Sequence, residues 1–165
     1  MFETQNNFLP VEQFDELQNL ILDSDFPWRV RENMVEDIKD DNLYFTYGFF
    51  NNNNVTSELY PRYIIPILEK LKCMAPIQVR ANMFLNKIFD RSGWHIDYNS
   101  NNTTAILYLN DCDGGTELKI NNKIEFVKAE KNKLLTFPSN TTHRARTSTD
   151  VDRRYIMNFN YFTHN

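Results

Sequence analysis

Several residue types are scarce in this chain, and each scarcity argues against a class of protein. The two cysteines, Cys73 and Cys112, lie far apart and match no zinc-binding spacing. So few cysteines indicate reduced thiols in a reducing compartment. The net charge is −4 and no basic run is present, so we expect no nucleic-acid partner. No apolar run approaches membrane-spanning length and no signal peptide precedes the first polar residues, so we expect a cytoplasmic protein with no membrane partner.

Apolar and aromatic side chains, in contrast, are plentiful. Hydrophobic residues make up 41% and aromatic residues 14% of the chain, which is the composition of a folded protein. A length of 165 residues suits one domain with a substantial core. We therefore expect a single domain over residues 1–165.

The N-terminal part, residues 1–76, predicts two helices that support the rest of the chain. Apolar residues at helical spacing follow Pro10, and this first helix is expected to end before Pro27. Residues 57–74 predict a second amphipathic helix, which Pro66 is expected to kink or split.

Strands are predicted at one place in the N-terminal part and throughout residues 77–162. Residues 43–50 are rich in aromatic side chains and predict a strand, the four asparagines of 51–54 predict a turn, and the polar segment 36–41 predicts a loop. Eight short strands separated by turns follow, at residues 77–84, 93–97, 104–109, 116–120, 123–127, 133–137, 142–145 and 154–162. This spacing predicts a closed or double-sheet β architecture. Residues 113–115 hold two of the four glycines and predict a sharp turn.

Histidine is another scarce residue, and two of the three histidines carry a pattern of interest. The third, His164, is next to last in the chain. In an extended strand, His95 and Asp97 project to the same face because residues two apart do so. Together with a second imidazole from His143, they would form a two-His-one-carboxylate site, the ligand set of non-haem Fe(II) oxygenases. The alternative is that His95 and Asp97 are a hydrogen-bonded surface pair.

The last predicted strand separates two neighbouring arginines. By period two, Arg154, Ile156, Asn158 and Asn160 share a polar face that would line a pocket, whereas Arg153 falls on the other face or in the preceding turn. The face opposite Arg154 is apolar and is expected to pack against the helices. A buried arginine needs a carboxylate partner, and no acid lies on its face. A dicarboxylate ligand would supply that partner.

These motifs together resemble the Fe(II)/2-oxoglutarate-dependent dioxygenases, specifically the prolyl 4-hydroxylase-like branch, which has small bacteriophage members. The residues that carry the resemblance are His95-x-Asp97, Tyr108-Leu109-Asn110, Asp113-Gly114-Gly115-Thr116-Glu117-Leu118, Leu134-Leu135-Thr136-Phe137-Pro138, His143 and Arg154-Tyr155. The 48 positions from His95 to His143 and the 11 from His143 to Arg154 suit that family. The resemblance covers residues 77–162 and implies a mainly β fold, a double-stranded β-helix (jelly roll) supported by N-terminal helices.

The resemblance also implies an activity, which is hydroxylation of a substrate C–H bond with conversion of 2-oxoglutarate and O2 to succinate and CO2. His95, Asp97 and His143 would hold Fe(II) and be the catalytic residues. Arg154 would pair with the far carboxylate of 2-oxoglutarate, and Tyr108 would be a second donor to it. Ascorbate would be an auxiliary reductant. The preferred substrate is a prolyl residue in a protein or peptide, and a free amino acid comes second.

Two positions depart from the family or stay open. The family often has a tyrosine before the triad that reaches 2-oxoglutarate, but residues 83–86 offer none. Asn82 is our candidate substitute, and the alternative is that Arg80 and Asn82 satisfy backbone groups. Arg144 and Arg146 flank His143, where they either reach substrate or form a solvated loop edge.

Trp94 and Glu117 are assigned structural roles. We expect Trp94 to form core or pocket wall, and Glu117 to be an acid on the surface of a strand. Three other functions compete with the hydroxylase interpretation: an AlkB-like demethylase of nucleic acid, a jelly-roll binding protein without iron, and a halogenase. The acidic charge argues against the first, and the intact triad with Arg154 argues against the second. A halogenase is disfavoured because Asp97 occupies the position that halide would need.

Overall fold

The strands form two sheets that face each other, with helices on the outer side of the larger one. The structure is a computed structural model and describes residues 1–32, 43–86, 88 and 90–163. The strands are β1 (Glu3–Gln5), β2 (Arg29–Arg31), β3 (Tyr44–Asn51), β4 (Asn54–Val55), β5 (Cys73–Leu85), β6 (Thr103–Tyr108), β7 (Gly115–Ile120), β8 (Lys123–Lys128), β9 (Leu134–Pro138), β10 (His143–Arg146) and β11 (Arg153–Thr163). The helices are α1 (Val11–Leu22), a π-helical turn (Tyr60–Ile64) and α2 (Ile65–Lys70).

The larger sheet has the strand order β1-β9-β6-β11-β5-β3-β2, with β4 paired to β3. The smaller sheet has the order β10-β7-β8. Neighbouring strands are antiparallel in both sheets, and the long strands β5 and β11 pair near the middle of the larger one. This double-sheet arrangement confirms the predicted jelly roll.

Strand β11 presents different faces to the two sides of the large sheet. Its outer face contributes four apolar residues to one core cluster, which also contains the buried residues of α1; these strand residues are Tyr155, Met157, Phe159 and Tyr161. Its inner face carries Arg154, Ile156 and Asn158, which line a pocket between the sheets. The predicted alternation along this strand is therefore confirmed.

Both predicted helices are present, although the second is shorter than expected. Helix α1 lies between Pro10 and Pro27, as predicted. The second helical segment changes from a π-helical turn to α2 one residue before Pro66, which confirms the predicted split. It ends before residue 74 because Lys72 adopts a left-handed conformation (φ 54°), and β5 begins at Cys73.

The predicted strand at residues 93–97 is wrong. This segment makes one isolated β-bridge, between His95 and His143, and does not extend it into a ladder of several residues. The physical reason is that the partner strand β10 begins at His143, while the amide of Thr141 closes a turn onto the carbonyl of Pro138 (2.8 Å). Beyond the bridge, the amide of Asp97 therefore donates to the carbonyl of Ser139 (3.0 Å).

The other strand predictions are confirmed to within a few residues, and three short strands, β1, β2 and β4, were not predicted. Two pairs of asparagines form turns in the left-handed region. Asn52 and Asn53 (φ 48° and 62°) form the turn predicted at residues 51–54, and Asn121 and Asn122 (φ 49° and 62°) form a second one between β7 and β8. The predicted loop at 36–41 and His164 lie outside the described residues.

Gly114 and Gly115 are required by close backbone contacts. A Cβ at Gly115 would lie 2.1 Å from the carbonyl oxygen of Val127, and one at Gly114 would lie 2.8 Å from the carbonyl carbon of Thr147. Any larger residue would push apart the segments that cross here. These two glycines thus allow β7 to pack against its neighbours.

The N-terminal part does more than cover the sheet, since β1 to β4 extend it. The assignment of residues 1–165 to a single domain, divided at residue 76, stays a prediction. None of the described helices is long and apolar enough to cross a membrane.

Candidate active site

The backbone brings His95 and His143 together through a single bridge. The amide of His95 donates to the carbonyl of His143 (3.0 Å), and the reverse bond measures 2.8 Å. The amide of Asp97 donates to the carbonyl of Ser139 (3.0 Å), the residue that follows the end of β9. The segment after β5 is thus fixed against the start of β10.

The side chains of His95, Asp97 and His143 converge on one point. The Oδ1 atom of Asp97 lies 3.8 Å from Nε2 of His95 and 3.6 Å from Nε2 of His143. The ligand atoms that the three residues offer all lie within 4.8 Å of one another. These distances allow the three groups to share one metal ion. The 3.8 Å between His95 and Asp97 is too long for a hydrogen bond, and their side chains are 16% and 6% exposed, so the two do not form a hydrogen-bonded surface pair.

Each of these side chains is held by a contact on the side away from the point of convergence. The Nδ1 atoms of His95 and His143 face the carbonyl oxygens of Gly93 (3.1 Å) and Thr141 (2.9 Å). Such bonds place the ring proton on Nδ1 and leave Nε2 free to bind a metal.

Asp97 is oriented in the same way. Its Oδ2 atom accepts hydrogen bonds from the hydroxyl of Thr104 (2.9 Å) and the amide of Asn160 (2.8 Å). Its Oδ1 atom is thereby left to face the histidines. The sequence indicated Asn160 only by its place on the polar face of β11, and nothing in the sequence indicated Thr104.

Burial and neighbouring charges favour the metal-binding forms of these groups. Burial, followed by the proximity of His143, lowers the pKa of His95. Burial alone raises the pKa of Asp97, but His143, Arg80 and the bond from Asn160 outweigh it and hold the pKa below its ordinary value. Near neutral pH the site therefore offers a neutral imidazole at His95 and a carboxylate at Asp97. Two imidazoles and one carboxylate fit Fe(II).

Arg154 is the second unusual feature of the pocket. Its side chain is 1% exposed, and none of its three guanidinium nitrogens has a hydrogen-bond partner among the described residues. Its guanidinium carbon lies 4.4 Å from the centre of the Phe84 ring. Burial lowers the pKa of Arg154. Leaving a charged group buried and unpaired costs several kcal/mol, so this position fits an anionic ligand such as the far carboxylate of 2-oxoglutarate.

The two histidines of the triad and Arg154 line the same pocket. Asn82 also lines it, and its Oδ1 atom accepts a hydrogen bond from the hydroxyl of Thr46 (2.8 Å). A group that binds a metal at one place and a guanidinium at another can therefore sit in one cavity.

Tyr108 is fully buried behind this pocket. Its hydroxyl donates to Oγ1 of Thr116 (2.8 Å), and the side chain of Thr116 lines the pocket. Burial raises the pKa of Tyr108 to about 12, so the hydroxyl stays protonated. Thr116 therefore lies between the Tyr108 hydroxyl and the pocket in which 2-oxoglutarate was expected to contact it.

The expectation that Glu117 is a surface acid is wrong. Glu117 is 5% exposed, and its two carboxylate oxygens accept hydrogen bonds from Nε of Arg91 (3.0 Å) and Nε of Arg144 (2.7 Å). Burial alone raises the pKa of Glu117, but the hydrogen bonds from Arg144 and Arg91 hold it below its ordinary value. Since β7 and β10 place Glu117 directly opposite Arg144, this pairing requires the strand register, which the sequence does not reveal.

The remaining side chains near the opening are held by aromatic rings. The guanidinium of Arg144 lies 4.1 Å, and the ammonium of Lys119 4.3 Å, from the centre of the Trp94 ring. Arg146 lies over the ring of Phe126 (4.9 Å) and is absent from the pocket lining. Trp94 is half-buried and contacts Arg144, a lining residue. It belongs to neither described core cluster nor to the lining of the pocket, so its expected place in the core or pocket wall stays a prediction.

Comparison with known proteins gives the same picture of the fold. No curated protein matches the sequence. The chain is similar to a prolyl-4-hydroxylase from Pseudomonas putida, with 14% identity, a TM-score of 0.68 and coverage of 99% of this chain and 93% of that one. It is also similar to a prolyl hydroxylase from Trichoplax adhaerens, solved with a hypoxia inducible factor peptide fragment. The identity is 18%, the TM-score is 0.69, and the match covers 98% of this chain and 83% of that one. A third similar structure is the epimerase SnoN from nogalamycin biosynthesis, described as non-heme and alpha ketoglutarate dependent. The identity is 12%, the TM-score is 0.70, and the match covers 98% of this chain and 77% of that one.

The sequence itself supplies the stronger evidence. The model of the 2OG-Fe(II) oxygenase superfamily matches residues 81–162, which contain the His95, Asp97 and His143 cluster and the buried Arg154. Fe(II), 2-oxoglutarate and O2 are the cofactor and cosubstrates of that family. Through these residues the chain belongs to the 2OG-Fe(II) oxygenase superfamily, and it is a 2-oxoglutarate-dependent dioxygenase.

Proposed function

We propose that this dioxygenase hydroxylates a C–H bond of a prolyl-type substrate. One oxygen atom of O2 enters succinate and the other enters the substrate as a hydroxyl group. 2-Oxoglutarate loses CO2 and supplies two of the four electrons that O2 accepts, and the C–H bond supplies the other two. Bound iron would supply the activation of O2.

The observation that carries the proposal is Arg154, a buried cation without a hydrogen-bond partner among the described residues, in the pocket that the two histidines also line. In this assignment, His95, Asp97 and His143 hold the metal ion. Arg154 receives the far carboxylate of 2-oxoglutarate by a bidentate pair of hydrogen bonds. Tyr108 acts through the hydroxyl of Thr116, which it holds in place.

The choice of a prolyl-type substrate has weaker support, namely the two neighbours whose names specify prolyl hydroxylation. A neighbour described as an epimerase has a comparable TM-score, so the fold is compatible with other reactions as well. We rank hydroxylation first because the triad, Arg154 and the pocket suffice for it without any further catalytic group. Protein-bound and free prolyl substrates are both compatible with this proposal.

The test is to incubate the iron-loaded protein with 2-oxoglutarate, O2 and candidate substrates. We expect succinate to form in amounts that match the CO2 released, and a substrate product heavier by one oxygen atom in mass spectrometry. Succinate formation without any hydroxylated product would support the cosubstrate assignment and overturn the hydroxylation of these candidates. Absence of succinate in every sample would overturn the proposed function as a whole.

A further inference from the structure

Two polar side chains on the inner face of the large sheet remain without a role in the assignment above. Arg80 on β5 and Asn158 on β11 are direct partners across the two strands, and both line the pocket. Side chains at such positions lie side by side on one face. They form a neighbouring pair in the wall that also carries Arg154.

Both side chains bury an atom whose hydrogen bond is unmet. The Nε–H of Arg80 and the Oδ1 atom of Asn158 have no partner among the described residues. One is a donor on a cation and the other is an acceptor. A buried polar group without a partner costs free energy, so the pair favours a ligand that presents an anionic oxygen to one and a hydrogen-bond donor to the other.

The charge of the assembled site leads to the same requirement. Fe(II) and Arg154 bring three positive charges, and Asp97 with the two carboxylates of 2-oxoglutarate brings three negative charges. These balance, so Arg80 keeps an uncompensated positive charge, since it forms no ion pair within the described part of the chain. Arg144, in contrast, has Glu117 as a partner.

Arg80 is also close to the place of reaction. It lines the same pocket as His95 and His143, two of the three residues that would hold the metal ion. A ligand held by Arg80 would therefore lie in the pocket of the metal ligands, where a substrate is needed. It would be separated from Arg154, which is opposite Phe84 and four residues before Asn158 on β11.

We propose that Arg80 and Asn158 bind the substrate as a free amino acid, its α-carboxylate on Arg80 and its primary or secondary ammonium N–H on Asn158. The inference rests on the proposed function and narrows its substrate class, because an internal residue of a peptide has neither charged group. Free L-proline is the first candidate. The C-terminal residue of a peptide is the other source of a carboxylate, but its nitrogen lies in an amide bond.

The test is a binding titration by calorimetry, without O2, of the protein loaded with Fe(II) and 2-oxoglutarate. The ligands are L-proline, each other standard amino acid, and a capped peptide with an internal proline. For the amino acid that binds best, the amide lacks the carboxylate and the N-acetyl derivative lacks the charged nitrogen. We expect each derivative to bind roughly ten- to a hundredfold more weakly, the effect of losing a hydrogen bond to a charged group.

Two variants locate the effect. In Arg80→Met, the amino acid and its amide should bind with similar affinity, whereas Arg146→Met should keep the wild-type difference because Arg146 lies outside the pocket lining. If Arg80→Met instead weakens 2-oxoglutarate as much as the amino acid, Arg80 serves the cosubstrate and the inference is wrong.

The wild-type titrations decide the matter even if Arg80→Met fails to fold. If no amino acid binds better than the capped peptide, the substrate class is wrong. Admitting O2 to the same samples separates this failure from that of the proposed function. Succinate formation without amino-acid binding overturns only the substrate class, and absence of succinate overturns both.

Discussion

The two sheets that enclose the pocket differ in how they treat buried charge. On the small sheet, the Glu117 carboxylate and the Arg144 guanidinium satisfy each other, and Arg91 adds a further bond. On the large sheet, the Arg154 guanidinium has no hydrogen-bond partner within the described chain, and Arg80 and Asn158 each bury one atom without a hydrogen bond. These two sheets are the two walls of the pocket. The buried charges of the small-sheet wall are paired within the protein, whereas those of the large-sheet wall require a bound ligand as partner.

This difference separates structural side chains from ligand-binding ones. A buried ion pair holds its own strands together, so its loss would be felt in the free energy of unfolding. An unpaired buried cation has the opposite effect on the ligand-free fold, since it costs desolvation free energy that only a bound anion offsets. The two walls should therefore respond to mutation in different measurements and with different signs.

The largest effect is expected at the triad that lies where the two walls meet. His95→Ala, Asp97→Ala and His143→Ala should each reduce 2-oxoglutarate-dependent succinate formation to the background level, because each removes one of three metal ligands. Melting temperatures should stay close to that of the wild type, since these side chains contribute little to either core cluster. Full succinate production by His143→Ala would contradict the assignment of the triad.

The next effect concerns the adjacent arginines at the start of β11. Arg154→Ala would leave the far carboxylate of 2-oxoglutarate buried and unpaired, at a cost of about 3–5 kcal/mol, so KM for 2-oxoglutarate should rise by at least about tenfold. Arg154→Lys should give a KM for 2-oxoglutarate between those of the wild type and Arg154→Ala, because the point charge of an ammonium replaces the planar guanidinium.

Arg153→Ala is the matched control for this change. Arg153 is exposed, and it neighbours Arg154 on the opposite face of the strand. Its removal should barely change KM, since an exposed contact is worth about 0–1 kcal/mol. The assignment of the cosubstrate would move to Arg153 if that variant alone raised KM.

The sequence predicted those parts of the site that depend on spacing within one segment better than those that depend on contacts between distant segments. The faces of β11 and the pairing of His95 with Asp97 follow from spacing within one segment, and the structure places Arg154 inside and Arg153 outside accordingly. The jelly roll followed from many short strands and the family's order of motifs. The sequence predicted β10 to within one residue, but it did not reveal that the amide of Asp97 would bind the carbonyl of Ser139 and so end the ladder. Residues 93–97 were therefore predicted as a strand when they form one bridge.

The contacts that the sequence missed are those between distant strands. Glu117 and Arg144 are 27 residues apart, and their pairing depends on the register of β7 against β10. Arg80 and Asn158 face each other because β5 and β11 pair in one register among several that their apolar patterns allow. Local patterns identify which side chains carry chemistry, whereas the pairing of strands decides which of them are satisfied.

In the ligand-free protein, removing a charge should change the free energy of unfolding in opposite directions on the two sheets. Arg154→Met replaces a buried cation, which has no hydrogen-bond partner among the residues that the structure describes, with an apolar side chain of similar length. We expect it to stabilise the ligand-free protein by about 1–4 kcal/mol, as replacement of buried charges by apolar groups often does. Urea denaturation without 2-oxoglutarate measures this change. Destabilisation by a similar amount would show that Arg154 is satisfied within the fold.

The smallest effect, opposite in sign, is expected for Glu117→Gln on the small sheet. The substitution keeps the shape of the side chain but removes the charge that Arg91 and Arg144 share, and it should destabilise the protein by about 1–2 kcal/mol, since both arginines reach solvent. Because the pKa of Glu117 is held below its ordinary value of 4.5, its charge stabilises the fold above that pH. The contribution is lost as the pH falls through the lowered pKa. The difference in unfolding free energy between wild type and Glu117→Gln should therefore be constant near neutral pH and shrink in acid. A difference that stayed the same in acid would mean that shape, and not charge, makes this wall complete.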